Sequence, residues 1–157
     1  MDAEGKAEGK RIQESVSTDL VLDIHNGFTI DERDLTQPSK GPGYYMVNVW
    51  INGEDAQRTT AVKSFGGVHQ FKERLAIGLD SSAYKYVYIE LARGICTKDP
   101  GTSNGTVVMG RAKIRLPPWN SGNMFTSKVN LIGLKSDRSV VVKGYLHLSM
   151  QLHRYLA

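Results

Sequence analysis

Apolar residues recur at every second position through most of this chain, in short segments that end at turn signals. Leu20, Leu22 and Ile24 share one parity, an Asn-Gly pair at 52–53 is typical of a tight turn, and Pro-Pro at 117–118 ends another segment. A period of two belongs to a strand with one buried face, and no sustained 3.6-residue period competes with it. The pattern predicts an all-β, antiparallel β-sandwich of eight strands, near residues 20–24, 46–51, 58–63, 71–79, 84–91, 107–116, 128–134 and 140–152.

The chain has 157 residues, enough for one domain with a sizeable core. Residues 1–16 are poor in large apolar groups and predict a flexible N-terminal lead, so residues 17–157 are expected to form the domain. We find no secretory signal pattern and no apolar stretch long enough to span a bilayer. The single cysteine, Cys96, excludes an internal disulfide, and the expected location is therefore cytoplasmic.

Charge is unevenly distributed along the chain. Residues 1–57 hold 5 basic and 11 acidic residues, whereas residues 58–157 hold 15 and 5. The basic excess therefore falls on the predicted sandwich and favours an anionic partner. A phospholipid surface and an acidic protein surface both fit, and nucleic acid is the least favoured partner.

Two segments carry a resemblance to a known family. Residues 109–116 read Met-Gly-Arg-Ala-Lys-Ile-Arg-Leu, and residues 143–149 read Lys-Gly-Tyr-Leu-His-Leu-Ser. In order and spacing the chain resembles the C2 domain family over residues 18–153, and small single-C2-domain plant proteins in particular. The resemblance implies a β-sandwich that binds membranes or proteins, with membrane binding that depends on calcium in many members.

The positions that hold calcium ligands in that family differ in this chain. Gly43, Arg93 and Ile95 stand where the resemblance implies carboxylates. Calcium takes about six to eight oxygen ligands, mostly carboxylates, and an arginine among them repels the ion. We therefore expect a calcium-independent domain, with Asp31, Asp34 and Asp99 as weak residual candidates for metal binding.

A basic set is the candidate lipid-binding site. Lys72 and Arg74 share one parity, opposite to Phe71 and Leu75, and relatives bind phosphoinositide headgroups on the corresponding sheet face. Simple alternation gives Lys63 the opposite parity to Arg58, and an ordinary solvated strand face explains the set equally well. The candidate lipid-binding residues are Arg58, Lys63, Lys72 and Arg74, and the candidates for membrane insertion from the loops are Phe28, Ile30 and Ile95.

The remaining chemistry-bearing residues favour no enzyme. His147 and His153 are too far apart on one predicted strand to share a metal ion, and His25 and His69 read as lone ring groups. Nothing near Cys96 indicates an activated thiolate, and no phosphate-binding loop or nucleophile motif is present. We expect no catalytic activity and no cofactor.

Two functions from different classes remain. The first is a peripheral module that binds anionic phospholipid, and the second is a protein-interaction adaptor that uses the loops at 26–43 and 93–106. Alternating tyrosines could also stack nucleic-acid bases, although a half-solvated sheet face is the commoner arrangement for Tyr84, Tyr86 and Tyr88.

Overall fold

The structure is a computed structural model that describes residues 16–30, 40–53, 56–94, 107–135 and 137–156, with backbone alone for 40–42. Every regular element in these ranges is a strand, and none is a helix that could cross a membrane. The nine strands are β1 (Val16–Thr29), β2 (Lys40–Trp50), β3 (Gln57–Arg58), β4 (Val62–Gly66), β5 (Val68–Leu79), β6 (Tyr86–Gly94), β7 (Val107–Arg115), β8 (Phe125–Leu134) and β9 (Val140–Leu156).

The strands form two layers. Hydrogen-bonded neighbours follow the order β3-β2-β6-β7-β8-β9-β1-β5, with β4 also beside β2, and every pairing is antiparallel. β7 and β8 meet at one pair, Arg111 with Ile132, so the path divides there. The first layer is β3, β4, β2, β6 and β7, and the second layer is β8, β9, β1 and β5. This arrangement confirms the predicted all-β antiparallel sandwich.

The core lies between the layers and follows the predicted alternation. Leu20, Leu22 and Ile24 of β1 are fully buried, and the residues between them are half-buried. Complete burial of such a side chain contributes about 1.5–3 kcal/mol. Facing residues of both layers complete the core, including Val47, Val49, Ile89, Leu91, Leu146 and Leu148.

The third predicted strand is divided in two, which accounts for nine strands instead of eight. Thr59 lies in the break, where its N–H donates to the Val47 carbonyl at 2.9 Å. The Thr59 hydroxyl in turn accepts from the Val47 N–H at 2.9 Å. The Thr59 hydroxyl thus takes the hydrogen bond of a backbone N–H of β2, and the backbone hydrogen bonds of this strand stop until β4 begins.

The break changes which way Lys63 points. Arg58 lies opposite Asn48, and Lys63 lies opposite Tyr44, four residues along the same strand. Residues four apart on a strand share a face, so Arg58 and Lys63 both point outward from the first layer. The opposite parity expected from the sequence was wrong, because one extra residue in the break resets the alternation.

The two ends of the strand path lie side by side without a backbone ladder between them. Gln57 Nε2 donates to the Ala76 carbonyl of β5 at 2.7 Å. The Thr60 N–H donates to Glu73 Oε1 at 2.8 Å. We call these two bonds the edge clasp. Segments 57–63 and 71–75 are therefore neighbours held by side-chain hydrogen bonds.

Candidate membrane-binding surface

Aromatic and basic side chains share the outer face of the first layer. Trp50, Tyr88 and Lys113 stand opposite one another on β2, β6 and β7, and Tyr86 stands opposite Arg115. The Trp50 and Tyr88 rings stack with centroids 6.0 Å apart. We call the outward face of β2, β3, β4, β6 and β7 the basic–aromatic face.

Two cations of this face lie over one tyrosine ring. Lys113 Nζ is 4.1 Å from the Tyr86 ring centroid, and Arg115 Cζ is 5.8 Å from it. The negative face of the ring attracts both groups, which contributes about 0.5–1 kcal/mol at an exposed site. Both cations lie on the solvent side of the sheet, so the attraction orients them while water or a ligand still reaches them.

A single described carboxylate lies on the outward face of these strands. Glu90 Oε2 accepts from Arg111 Nε at 2.9 Å, and Glu90 Oε1 accepts from Asn48 Nδ2 at 3.1 Å. The face therefore opposes one carboxylate to five cations, which are Arg58, Lys63, Arg111, Lys113 and Arg115. Its net positive charge is concentrated on one side of the sandwich.

Arg58 and Lys63 are the two sequence candidates that lie on this face. Arg58 is exposed and donates from Nη1 to the Met46 sulfur at 3.9 Å. Lys63 is exposed, with Nζ 5.3 Å from the ring centroid of Phe65, which is itself exposed. Neither cation makes an ion pair with a described residue.

Lys72 and Arg74 belong to the other layer. They lie on the outer face of β5 while Phe71 and Leu75 are buried, as the sequence predicted. Arg74 donates to both carboxylate oxygens of Asp23 on β1, at 2.7 and 3.1 Å. These hydrogen bonds lower the pKa of the Asp23 carboxyl. The structure thus divides the four lipid-binding candidates between two faces.

Lys72 has a left-handed backbone conformation, with φ 50°. The pairing of β1 with β5 shifts between Ile24 and Asn26, so that β5 carries an additional residue there. Such a bulge re-aims the side chain that it contains. Lys72, His25 and the Asp23–Arg74 pair line a shallow pocket of about 250 Å³. Acidic and basic groups balance in this pocket, whereas cations outnumber the carboxylate on the basic–aromatic face.

The three candidates for membrane insertion were expected in loops, and the structure places Phe28 in a strand. Phe28 belongs to β1, is half-buried and stacks on Tyr145 with centroids 5.3 Å apart, so the loop assignment was wrong. Ile30 directly follows β1 and donates its N–H to the Lys143 carbonyl at 3.0 Å. Arg93, which was expected to begin the loop at 93–106, belongs to β6. Ile95 lies outside the described residues, as do Asp31, Asp34, Cys96 and Asp99.

Arg93 occupies the space above Gly43, at the end where the sequence lacks calcium ligands. A Cβ added to Gly43 would lie 2.5 Å from Arg93 Nε, so the glycine leaves room for the guanidinium. Across the five described ranges, no three His, Cys, Asp or Glu side chains are grouped to hold a metal ion.

His69 lies beneath this end of the sandwich and is fully buried, which its sequence context did not indicate. Its ring stacks on Tyr45 with centroids 3.7 Å apart, and Nε2 is 2.7 Å from Thr29 Oγ1. Burial lowers the pKa of His69 to about 4, and the nearby Arg93 charge acts in the same direction. The ring is therefore neutral at physiological pH and belongs to the core.

The other three histidines lie on the second layer. His25 Nε2 is 2.9 Å from the Ser149 hydroxyl, and His147 meets the Tyr145 ring edge-on. His153 is exposed beside Tyr155.

Sequence reasoning missed Lys113 and Arg115 as site residues. Both lie in the segment 109–116, which indicated the fold through its apolar positions. The alternation of Arg111, Lys113 and Arg115 between those positions was the available signal, because it puts three cations on one outward face.

Similarity to known proteins is found in structure and not in sequence. No protein-family model matches the chain, and no curated protein matches it by sequence. A solved C2 domain-containing protein from a putative elicitor-responsive gene aligns with a TM-score of 0.60 and 15% identity, over 86% of this chain and 88% of that one. A C2 domain of plant Extended Synaptotagmin 1 aligns with a TM-score of 0.55 and 9% identity, over 88% of this chain and 96% of that one.

Proposed function

Since the chain has a C2-like fold, we propose that it is a non-catalytic docking module that binds anionic phospholipid surfaces without calcium. The observation that supports this proposal is the basic–aromatic face. The module would act as a peripheral protein on the cytoplasmic side of a membrane, with no cofactor.

The charge of the face gives the first argument. Each cation near an anionic membrane surface contributes about 1 kcal/mol, so several cations on one face act jointly. Arg58, Lys63, Lys113 and Arg115 make no ion pair with the described part of the chain, so lipid phosphates can replace water around them. Arg111 is held by Glu90 and contributes less.

The aromatic rings give the second argument. Trp50, Tyr86 and Tyr88 are half-buried, and each side chain combines an apolar ring with an N–H or O–H group. Such side chains suit the headgroup level of a bilayer. Trp50, Tyr88, Arg111 and Lys113 also line a shallow pocket of about 460 Å³, where a phosphate-bearing headgroup would meet cations and ring faces together.

Calcium independence is supported by the position of Arg93. Its side chain lies against Gly43, so an arginine and not a carboxylate occupies this position at the end of the sandwich. Binding to anionic vesicles should accordingly be equal in calcium and in chelator.

The test compares two exposed lysines on the outer faces of opposite layers. Lys113 lies on the basic–aromatic face, and Lys72 lies on the outer face of β5. Each Lys→Glu change removes one cation and adds one anion, equivalent to about 2 kcal/mol at a membrane surface, or about thirtyfold in affinity.

The measurement is co-sedimentation with phosphatidylserine-containing vesicles, with phosphatidylcholine vesicles as the neutral reference. Lys113→Glu should weaken binding about thirtyfold, whereas Lys72→Glu should leave it nearly unchanged. Equal losses in the two variants would reject the basic–aromatic face as the site. A wild-type protein that ignores anionic vesicles would reject lipid binding itself and favour an adaptor that binds an acidic protein surface.

A further inference from the structure

The hairpin of β8 and β9 carries apolar side chains that the core does not use. Ile132 lies opposite Val142, and Leu134 lies opposite Val140. All four are exposed, with Leu134 56% and Val140 68% accessible to solvent. Directly opposed residues have Cβ atoms about 4.5–5.5 Å apart, so the two pairs form one apolar strip, which we call the hairpin strip.

The hairpin strip is held in place by a closed turn. The Lys135 N–H donates to the Ser139 carbonyl at 2.9 Å, and the Arg138 N–H donates to the Lys135 carbonyl at 2.8 Å. Arg138 takes a left-handed conformation, with φ 71°, that completes the turn. The apolar side chains are thus presented by a preformed element, and little ordering is required when they meet a partner.

Two cations border the strip at its turn. Lys135 and Arg138 are both exposed there. A Cβ on Gly133 would lie 2.8 Å from Cδ of Lys143, so the stem of this lysine crosses the face of the hairpin opposite to Ile132 and Leu134. The one described carboxylate of the turn, Asp137, accepts from both the N–H and the hydroxyl of Ser139.

The strip is continuous with the basic–aromatic face. Ile132 is paired with Arg111 of β7, where the two layers join. Ile132 also lines the shallow pocket of Trp50, Tyr88 and Lys113. A surface that meets the cations and rings of that face therefore extends onto the hairpin.

We infer that the hairpin strip inserts into the boundary between headgroups and acyl chains when the basic–aromatic face meets an anionic membrane. This inference rests on the proposed lipid binding and identifies the part of the chain that leaves water. Aliphatic side chains bordered by lysine and arginine suit that boundary, because their stems lie along apolar surface while the charged ends reach the phosphates. Lys135 and Arg138 outnumber Asp137 among the described residues of the turn, and this positive charge favours an anionic bilayer as the occupant.

The chain offers a matched control at the far end of β9. Val16 and Leu156 form another exposed cross-strand pair of one valine and one leucine, 53% and 78% accessible. The hairpin variant is Leu134→Ser with Val140→Thr, and the control variant is Leu156→Ser with Val16→Thr. Because all four residues are exposed, thermal melts should show both variants folded.

Binding to phosphatidylserine-containing vesicles is then measured at about 0.1 M and about 1 M salt, where the Debye lengths are about 10 and 3 Å. High salt weakens the charge contribution and leaves the apolar one. We expect the hairpin variant to lose about tenfold or more in affinity at high salt, and the control variant to behave as wild type.

Different results would reject different parts of this account. Wild-type binding that disappears at high salt, or equal behaviour of the two variants, would overturn insertion and leave electrostatic lipid binding intact. No wild-type binding at either salt would overturn the proposed function and the inference together.

Discussion

The buried histidine makes the stability of this sandwich depend on pH in a predictable direction. His69 has a pKa of about 4 in the folded chain, against an ordinary value of 6.5. Because the folded value is the lower one, the unfolded chain binds the proton more tightly. The contribution of the neutral ring to the free energy of unfolding is therefore complete above pH 6.5, and it is lost as the pH falls from 6.5 toward 4. The gap between the two values corresponds to about 3 kcal/mol in the free energy of unfolding.

The experiment compares wild type with His69→Phe by urea denaturation at a series of pH values. Phenylalanine keeps a ring against Tyr45 and removes the titrating group, although it also loses the bond to Thr29. The difference between the two proteins cancels the carboxylate titrations that they share. Between about pH 7 and about pH 5 the wild type should lose about 2 kcal/mol relative to the variant.

Parallel stability curves for the two proteins across that interval would refute the reasoning. Such curves would mean that the protonated ring of His69 reaches water or a hydrogen-bond acceptor, which its burial and stacking exclude. If His69→Phe does not fold, His69→Gln provides the same comparison with a hydrogen-bonding side chain in place of a ring.

Two further outcomes follow from the site geometry. Arg74→Glu should lower the melting temperature, because it replaces the bidentate partner of Asp23 with a second carboxylate. Lys72→Glu should lower it less, and equal melting temperatures in the two variants would contradict the importance of the Asp23–Arg74 pair. Thermal melts in millimolar calcium and in chelator should superimpose. A ligand at about a hundredfold excess over its Kd would stabilise the folded state by about 2.7 kcal/mol. A shift of several degrees would therefore point to Asp31, Asp34 and Asp99 as calcium ligands.

The alternation of apolar residues was sufficient to predict the layers of this fold. Leu20, Leu22 and Ile24 are buried as their parity requires, because burial of one strand face is a local property of the sequence. The division at Thr59 could not be predicted, since it depends on a hydroxyl that bonds to a residue on another strand. One inserted residue there reverses the orientation of everything that follows in β4.

The site was less predictable because its residues come together only through pairing between distant segments. Arg58 and Lys63 share a face with Lys113 and Arg115 because β2 and β6 lie between β3, β4 and β7. The sequence grouped them instead with Lys72 and Arg74, which are near in the chain but belong to the other layer. Pairing of Arg74 with Asp23, 51 residues away, was equally invisible from local parity.

The edge clasp has a consequence for association between copies of this chain. An open strand edge exposes a row of N–H and C=O groups to which a second chain can add, and natural sheets block such edges. Here the Gln57 amide occupies the Ala76 carbonyl and the Glu73 carboxylate occupies the Thr60 N–H, so each edge supplies partners for the other. The left-handed bulge at Lys72 adds a local twist and an exposed charge on β5. These features disfavour edge-to-edge pairing between copies, and they leave the charged and apolar surfaces exposed.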